Sequence, residues 1–408
     1  MSEPPLLTVP ADGVPEPVAD RAALDRAIAS LAAGTGPTGI DAERAHGFRY
    51  SARAYLIQLR RAGAGTFLID PIAFRDGDAE ADLSALAPAL GPEWILHAAS
   101  QDLPCLAEIG LLPPTLFDTE LAGRLLGFPR VSLGTMVEEV LGIRLLKEHS
   151  AADWSTRPFP DAWLAYAALD VELLADLRTA LTEQLEASGK AEWARQEFAA
   201  LAAGAGQPAP ERVDPWRRTS GMHHVRTPRQ ALLVQCLWTA RDAIARELDK
   251  APGKILPDRA ISGAATTVTA ATRQQLRAVE GFERRQAKRF ESNWLAAVDQ
   301  ALSAPRSALP PLHLPSDGPP PPRTWARRDP AAAGRLERAR AHVTQLSEDL
   351  HIPAENLLTP DVVRRLAWQP PQPLSEDAVD EFLAAHGARP WQRDLLAGPF
   401  TRLLADDA

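Results

Sequence analysis

Proline is concentrated in one stretch of this chain, and that stretch limits how the chain can be divided into folded units. Eight prolines fall within the nineteen residues 304–322. Proline fixes φ and lacks an N–H donor, so this composition favours extended polyproline II and excludes a helix or a central strand. The sequence therefore predicts a spacer over residues 304–324, and a weaker break, rich in alanine, glycine and proline, over residues 201–215. The folded units predicted between these breaks are residues 1–210, 215–303 and 325–408.

The first unit, residues 1–210, combines the periodicities of strands and helices. Apolar and polar residues alternate around a glycine-containing turn in Ala54–Asp70, which predicts a β-hairpin. The other predicted elements are strands at Gly39–Glu43 and Trp94–His97, helices at Asp102–Ile109 and Asp118–Leu126, and one long helix from Asp161 to Gly189. A hairpin followed by alternating strands and helices predicts an α/β domain with a mixed sheet.

The second and third units are predicted to be small all-α helical bundles. In the second, Thr227 and Pro228 supply a capping residue and a proline at the first helical position, and apolar residues then recur on one helix face. In the third, helical patterns cover residues 333–350, 360–366 and 375–385.

Charge is unevenly distributed among the units. The whole chain has 44 basic and 53 acidic residues, and this acidic balance alone speaks against a nucleic-acid partner, because phosphate binding needs lysine and arginine. Residues 212–290, however, contain 16 basic and 7 acidic residues, whereas residues 334–408 contain 8 basic and 12 acidic residues. The second unit is therefore the predicted nucleic-acid-binding part. The third unit is expected to pack on the first or to restrict its entrance.

The composition excludes two classes of protein. No run approaches the roughly 18 consecutive apolar residues of a membrane span, and the N-terminal residues lack the basic and apolar regions of a secretory signal. The two cysteines, Cys105 and Cys236, lie far apart without metal-ligand spacing, so neither a disulfide framework nor a cysteine zinc site is predicted. We expect a cytoplasmic protein with no membrane partner and no disulfide partner.

Four carboxylates and one tyrosine of the first unit are the candidate catalytic residues. Asp41 and Glu43 are two apart on a predicted strand and therefore share one face of the sheet. Asp102 follows a predicted strand, and Tyr166 and Asp170 are four apart on one side of a predicted helix. Converging carboxylates repel one another unless cations lie between them, and hard ions such as Mg²⁺ and Mn²⁺ prefer oxygen ligands. Such a set suits two-metal phosphoryl transfer.

Each of these features also has an ordinary structural explanation. The pair Asp41 and Glu43 could lie at a solvated sheet edge, and Asp102 could cap a helix. Tyr166 and Asp170 could be a surface pair. The order of the three motifs along the chain is what favours the catalytic interpretation.

The three motifs in this order resemble those of the DEDD exonucleases, in the variant with a tyrosine in the third motif. The sequences GFRYSARAYLIQL after the first motif, HAASQDLPCL around the second and YAALDV in the third are similar to the ribonuclease D family. The sequence ARELDKAPGKILPD, residues 245–258, resembles the helicase-and-RNase-D C-terminal (HRDC) domain. The third unit resembles a second, more divergent HRDC domain.

This resemblance implies an RNase H-like exonuclease domain followed by two HRDC-like bundles. It implies a 3′→5′ exoribonuclease that uses two divalent metal ions, Mg²⁺ or Mn²⁺, and releases nucleoside 5′-monophosphates. Asp41 would bridge both ions, and Glu43 and Asp170 would complete the site on the nucleophile side. Asp102 would hold the ion on the leaving-group side, and Tyr166 would orient the attacking water. The implied substrates are RNA 3′ ends, chiefly those of tRNA precursors, and we expect a monomer.

Other residues are weaker candidates. Tyr50, Gln58 and Lys147 are predicted to line the path of the scissile strand, whereas Asp118 is interpreted as a helix cap and His97 as a hydrogen-bonded core histidine. Cations that contact the RNA backbone would come from the basic unit. The predicted RNA contacts there are Arg217, Arg218, Arg226, Lys254, Arg284, Arg285 and Lys288.

Two other functions stay open at the level of sequence. One is a DNA-directed 3′→5′ exonuclease of the same superfamily, because discrimination of RNA depends on contacts to the 2′-hydroxyl that no residue can be assigned to. The other is a non-catalytic RNA-binding protein. That function predicts a missing acidic ligand, and none of the four is missing.

Overall fold

The computed structural model describes residues 4–77, 79–146, 151–207, 212–314 and 318–405. Lys147, one of the predicted RNA contacts, lies outside these residues. Among the described residues, every helix is too short or too polar to serve as a membrane span. Cys105 and Cys236 are both buried free thiols.

Two sheets organise the first unit. The strands are β1 (Leu6–Leu7), β2 (Pro17–Val18), β3 (Thr35–Arg44), β4 (Ala54–Ala62), β5 (Gly65–Ile69), β6 (Glu93–Leu96), β7 (Thr115–Asp118) and β8 (Arg144–Leu145). Six of them form the main sheet in the order β2-β5-β4-β3-β6-β7, and β1 pairs with β8. The β3-β4-β5 pairs are antiparallel and the outer pairs are parallel. The predicted hairpin and mixed sheet are confirmed.

Helices cover the sheet and make up the rest of the chain. Those of the first unit are α1 (Arg21–Ala33), α2 (Leu103–Glu108), α3 (Thr119–Leu126), α4 (Leu133–Leu141), α5 (Asp161–Glu172), α6 (Leu174–Ala187) and α7 (Ala191–Gly204). Those of the second unit are α8 (Pro228–Glu247), α9 (Pro252–Ile255), α10 (Asp258–Thr267), α11 (Arg273–Arg277), α12 (Arg285–Arg289) and α13 (Glu291–Ser303). Those of the third are α14 (Trp325–Arg328), α15 (Pro330–Leu350), α16 (Ala354–Leu357), α17 (Pro360–Trp368), α18 (Glu376–Ala385) and α19 (Pro390–Ala405).

The predicted single helix from Asp161 to Gly189 is wrong, because the chain leaves helical geometry at Leu173, where φ is −110° and ψ is 8°. The two helices on either side of the break contribute differently. α6 buries Leu174 and Leu181 in the core, whereas α5 carries Tyr166 and Asp170. No glycine or proline marks the break, so periodicity alone runs straight through it.

The second unit is a helical bundle with a core of its own, as predicted. The side chain of Thr227 accepts a hydrogen bond from the backbone of Gln230, whose side chain caps Thr227 in return, so α8 begins with a capping box. The bundle is centred on α8, which packs against α10 and α13. Trp294 is fully buried there and donates its indole N–H to the Ala287 carbonyl at 2.8 Å.

The third unit shares a hydrophobic core with the first unit. Phe117 and Leu181 belong to the same buried cluster as Leu383 and Phe400. The ring of Trp391 stacks on Trp193 of α7 at 4.8 Å. The expectation that the third unit packs on the first is therefore confirmed. The proline-rich segment leads from the second unit to the third, which is held against the first unit through side chains.

Candidate active site

Three of the predicted carboxylates meet at one point. Asp41, Glu43 and Asp170 each offer an oxygen atom, and the three atoms lie within 4.8 Å of one another. The first two stand on β3 and the third on α5, so the strand spacing places them on one face as predicted. Three hard oxygen donors at this separation form a set that fits a divalent metal ion.

A glycine allows the helices to approach β3 closely. A Cβ at Gly39 would lie 3.3 Å from the side chain of Leu174 and 3.3 Å from the carbonyl oxygen of Val171. A larger residue would require Leu174 or the Val171 carbonyl to shift away from the strand by a few tenths of an ångström. Gly39 thereby keeps Asp170 within reach of Asp41.

Tyr166 lies one helical turn before Asp170 and hydrogen-bonds its carboxylate. Burial raises the pKa of the phenol, and the neighbouring carboxylates of Asp170 and Glu43 raise it further. The ring is backed by the buried Trp154, with centroids 6.5 Å apart. Tyr166 therefore stays a neutral hydrogen-bond donor in the cleft.

Asp102 is buried beside this group but has a different partner. It lies at the N-cap position of α2, yet its side chain makes no capping hydrogen bond. Its Oδ1 instead lies 3.4 Å from Nη2 of Arg44. The capping explanation that sequence allowed for Asp102 is therefore wrong for the side chain.

The backbone before Asp102 is held by Asp118. The Asp118 carboxylate accepts hydrogen bonds from the amides of Ala98 and Ala99 at 3.1 and 2.9 Å, and it also caps α3 through Glu120 and Leu121. The predicted cap is confirmed. His97 is hydrogen-bonded as interpreted, with Nδ1 2.9 Å from the Thr119 hydroxyl, but it is half-buried at the wall of the cleft and not in the core; burial lowers its pKa to about 4.

Burial and mutual repulsion make this group of carboxylates basic. Burial raises the pKa of Asp41 to about 6, and burial together with the charge of Asp41 raises the pKa of Asp102 to about 8. The pKa values of Glu43 and Asp170 are also raised, first by burial and then by the nearby charge of Asp41. A bound cation would remove this penalty, so the electrostatics as well as the geometry fit a metal site.

The five predicted residues line one cleft of about 230 Å³. Its walls are Ile40, Asp41, Ala42, Glu43, Arg44, His97, Ala98, Gln101, Asp102, Leu133, Tyr166, Asp170 and Leu174. Motifs separated by about sixty residues along the chain thus meet in one place. The structure brings together every acidic residue that the motif pattern singled out.

Comparison with known proteins decides the family. Residues 15–186 match a family model described as a 3′-5′ exonuclease, residues 230–298 match the HRDC domain, and residues 318–404 match a 3′ to 5′ exonuclease C-terminal domain. Ribonuclease D of Escherichia coli K12 is 30% identical over 274 residues, which cover 66% of this chain and 71% of that protein. The chain belongs to the ribonuclease D family.

Other relatives match this chain over part of their length in sequence, and solved structures match it over nearly the whole fold. Ribonuclease D of Gluconacetobacter diazotrophicus is 32% identical over 233 residues, and this alignment spans 56% of the chain and 58% of that protein. A Bifidobacterium adolescentis protein of known structure is 38% identical, covers 98% of this chain and 100% of its own, and superposes with a TM-score of 0.88. The E. coli RNase D structure, titled as that of an exoribonuclease involved in structured RNA processing, has 26% identity, a TM-score of 0.67 and coverage of 96% and 99%. The likeness of the third unit to a second HRDC domain stays a prediction.

Two of the residues predicted to contact RNA, Tyr50 and Lys254, lie in the interface between the first and second units. The Tyr50 hydroxyl donates to Asp242 at 3.1 Å and accepts from Arg246. The Lys254 ammonium lies 5.1 Å from the centre of the Phe48 ring. Both side chains therefore join the units, although Lys254 is also exposed.

Gln58 does not line a surface. Its side chain is fully buried on β4 opposite Asp41, and neither amide atom has a hydrogen-bond partner. The prediction that it contacts RNA fails in this structure because no strand of RNA can reach it.

The predicted basic contacts of the second unit divide into two groups. Arg217 is tied down, because it pairs with Asp214 at 2.8 Å, donates to the Pro311 carbonyl at 2.9 Å and lies over the Trp216 ring. The others are exposed to solvent: Arg218, Arg226, Arg284, Arg285 and Lys288, together with Arg289. The last four of these lie on the short helix α12 or at its N-cap. We term them the α12 basic face: Arg284, Arg285, Lys288 and Arg289.

Arg44 is the cleft residue that sequence reasoning missed. Strict alternation would point it away from the face that carries Glu43. The pairing of β3 with β4 is irregular between Glu43 and Arg44, and the side chain reaches Asp102 from there. An irregularity of this kind re-aims a side chain and has no reliable sequence signal.

Proposed function

We propose that this protein is a metal-dependent 3′→5′ exoribonuclease. The observation that carries the proposal is the meeting of Asp41, Glu43 and Asp170 within 4.8 Å, in one cleft with Asp102 and Tyr166. The HRDC match and the kinship to ribonuclease D support RNA as the polymer that enters this cleft.

The reaction adds water across the last phosphodiester, breaks the P–O3′ bond and releases a nucleoside 5′-monophosphate. Divalent ions, two Mg²⁺ or Mn²⁺ in this proposal, supply charge neutralisation at the scissile phosphate and lower the pKa of a bound water. Asp41, Glu43 and Asp170 would hold them, with Asp102 on the side of the leaving group. The protein contributes the fixed placement of these charges before substrate arrives.

Tyr166 has the position and protonation state of a residue that orients the attacking water. Its phenol is held by Asp170 and its raised pKa keeps the proton in place at neutral pH. As a neutral donor and acceptor, the hydroxyl can fix the direction of a neighbouring water without taking its proton.

The proposed substrates are structured RNAs with a single-stranded 3′ end, and among them tRNA precursors. The E. coli relative is named for structured RNA processing, and the exposed α12 basic face offers cations for the RNA backbone. We propose further that the enzyme is a monomer of the cytoplasm, where buried free thiols such as Cys105 stay reduced.

Digestion of a 5′-labelled RNA with a short single-stranded 3′ tail tests the function. The wild type in Mg²⁺ or Mn²⁺ should give a ladder that shortens from the 3′ end, and chelator or Asp41→Asn should abolish it. Asp161→Asn is the matched control, since Asp161 is an exposed aspartate on the same helix as Asp170 and should keep the ladder.

Two outcomes would overturn the proposal. A DNA of the same sequence degraded as fast as the RNA at matched salt would indicate a DNA-directed exonuclease. Tight binding of uncut RNA, in metal and with the wild type folded, would indicate a non-catalytic RNA-binding protein.

A further inference from the structure

Asp102 stands apart from the other carboxylates in its choice of partner. Asp41, Glu43 and Asp170 face one another without a cation between them among the described residues. Asp102, which is 7% exposed at its side chain, faces the guanidinium of Arg44. A positive charge therefore lies at one end of the acidic cleft.

The contact between the two is loose for an ion pair of this kind. The distance from Nη2 to Oδ1 is 3.4 Å, whereas charge-assisted hydrogen bonds of arginine to carboxylate are about 2.7–2.9 Å long. The Arg44 side chain is 30% exposed, so it has room to swing toward solvent. An arginine held this way can release its partner at modest cost.

We propose that Arg44 is a built-in counter-cation that occupies Asp102 until a second divalent ion displaces it. This inference rests on the proposed function, because it assigns Asp102 to the leaving-group-side ion. The guanidinium and that ion compete for the same carboxylate, so Arg44 sets how tightly the second ion binds. Arg44 is thus a positioning residue that makes the second site weaker than the first.

The physical basis is simple electrostatics. A unit charge a few ångströms from a cation site in a partly buried cleft opposes binding by an amount worth roughly tenfold or more in affinity. Among the described residues, the ion-pair contact of Arg44 is with Asp102. Its charge also acts through space on Asp41 and Glu43, where it opposes the larger rise in pKa that burial causes. Neutralising Arg44 should therefore tighten both binding steps, and the second step, where the contact is direct, more than the first.

Calorimetric titration of the metal-free protein with Mn²⁺ alone tests this. The wild type should show a tight and a weak step, and Arg44→Gln should tighten the weak step roughly tenfold. Arg44→Lys, which keeps the charge, should behave as wild type. Arg21→Gln is the control for net charge, since Arg21 is 72% exposed and pairs only loosely with Asp25.

Asp102→Asn removes the carboxylate for which Arg44 and the second ion compete, so it is the background in which the Arg44 variant is tested again. The weak step should disappear in Asp102→Asn, and adding Arg44→Gln to it should then tighten only the remaining step, by less than it tightens the weak step of the otherwise wild-type protein. If Arg44→Gln fails to fold, as judged by circular dichroism, Arg44→Met keeps the length of the aliphatic stem and takes its place.

An unchanged weak step in a folded, charge-neutral Arg44 variant would overturn the inference, as would equal tightening in the Asp102→Asn background. The RNA digestion described above is scored separately. If the wild type digests RNA but the Arg44 variants titrate with Mn²⁺ as the wild type does, only the role of Arg44 is refuted. If the Arg44 variants titrate differently but the wild type does not digest RNA, only the exonuclease function is refuted.

Discussion

The hydroxyl of Tyr50, in the loop that follows β3, donates a hydrogen bond to the carboxylate of Asp242 in α8 at 3.1 Å. Two further hydrogen bonds flank it, from the amide of Ser51 to Asp249 at 3.0 Å and from the amide of Ala251 to the Phe48 carbonyl at 3.0 Å. The loop that follows β3 therefore supplies the first unit's side of these contacts with the second unit.

Tyr50→Phe should loosen this contact. Loss of the hydroxyl removes one hydrogen bond, worth about 1 kcal/mol, and leaves Asp242 with Arg246 as its remaining partner. Hydrogen exchange at the Ser51 and Ala251 amides should speed up. A double-mutant cycle with Asp242→Ala, which removes the acceptor, should give a coupling energy of similar size. Zero coupling, together with weaker RNA binding, would restore Tyr50 as an RNA contact.

Asp41→Asn and Asp170→Asn should each lower the rate of RNA hydrolysis by at least 10²–10³-fold, on the order of losses seen when a transition-state-stabilising group is removed. Asp41→Asn should also raise the melting temperature of the metal-free protein at pH 8, because the pKa of Asp41 is about 6 and the variant removes a buried charge. Single-turnover hydrolysis in Mg²⁺ and thermal unfolding in chelator measure the two effects. A variant that loses both activity and stability would point to a merely structural role.

The metal-free protein should become less stable as pH rises from about 4 to 8. The pKa values of Asp41 and Asp102 in the folded state, about 6 and about 8, lie above the ordinary value near 3.9. In that range the folded state binds more protons than the unfolded state, so the free energy of unfolding falls with pH. Thermal unfolding in chelator should show this slope, and saturating Mg²⁺ should flatten it. A slope that persists in Asp41→Asn/Asp102→Asn would assign it to other groups.

Lys190 links the first unit to the third by hydrogen bonds. Its ammonium donates to the Leu125 carbonyl at 2.7 Å and to the Leu350 carbonyl at 2.6 Å. Lys190→Met should therefore cost about 1–3 kcal/mol of unfolding free energy, because two carbonyls lose their donor. Lys250→Met, at an exposed lysine, is the control in denaturant unfolding. Equal stability of the two variants would contradict a role for Lys190 as a fastener.

Neutralising the α12 basic face should weaken RNA binding in a salt-dependent way. For single-stranded RNA, each lost phosphate contact lowers the slope of log K against log salt by about 0.7. Changing Arg284, Arg285 and Lys288 to glutamine should reduce that slope, whereas the exposed pair Arg327 and Arg328 of the third unit, changed in the same way, should not. Fluorescence anisotropy with uncleaved RNA in chelator measures both. An unaltered slope would move the RNA path elsewhere.

Much of the catalytic unit could be predicted from sequence because its signals are local. Alternation placed Asp41 and Glu43 on one face of a strand, and helical spacing placed Tyr166 beside Asp170. Both relations depend only on the backbone geometry of a single element. The meeting of β3 and α5 needed the motif pattern as a whole.

What could not be predicted depends on contacts distant in sequence. Tyr50 is an exposed-looking residue in a basic and aromatic stretch until α8 packs against it, and Arg44 faces away from the cleft until the irregular pairing with β4 redirects it. Likewise, the sequence led us to expect that the third unit packs on the first but did not indicate which helices meet. The structure shows that α7 and α19 share a core, with Trp193 stacked on Trp391.

The core shared by the first and third units also determines when the apolar surface of the first unit becomes covered during synthesis. The ribosome makes the catalytic motifs first, and at about 5–20 residues per second it needs a further interval before residues 325–405 emerge. Until then the nuclease unit presents an uncovered apolar face on α7, the kind of surface that chaperones and proteases act on. Chains that stop short of these helices keep that face exposed, and we expect them to aggregate or to be degraded more readily than chains that carry residues 325–405.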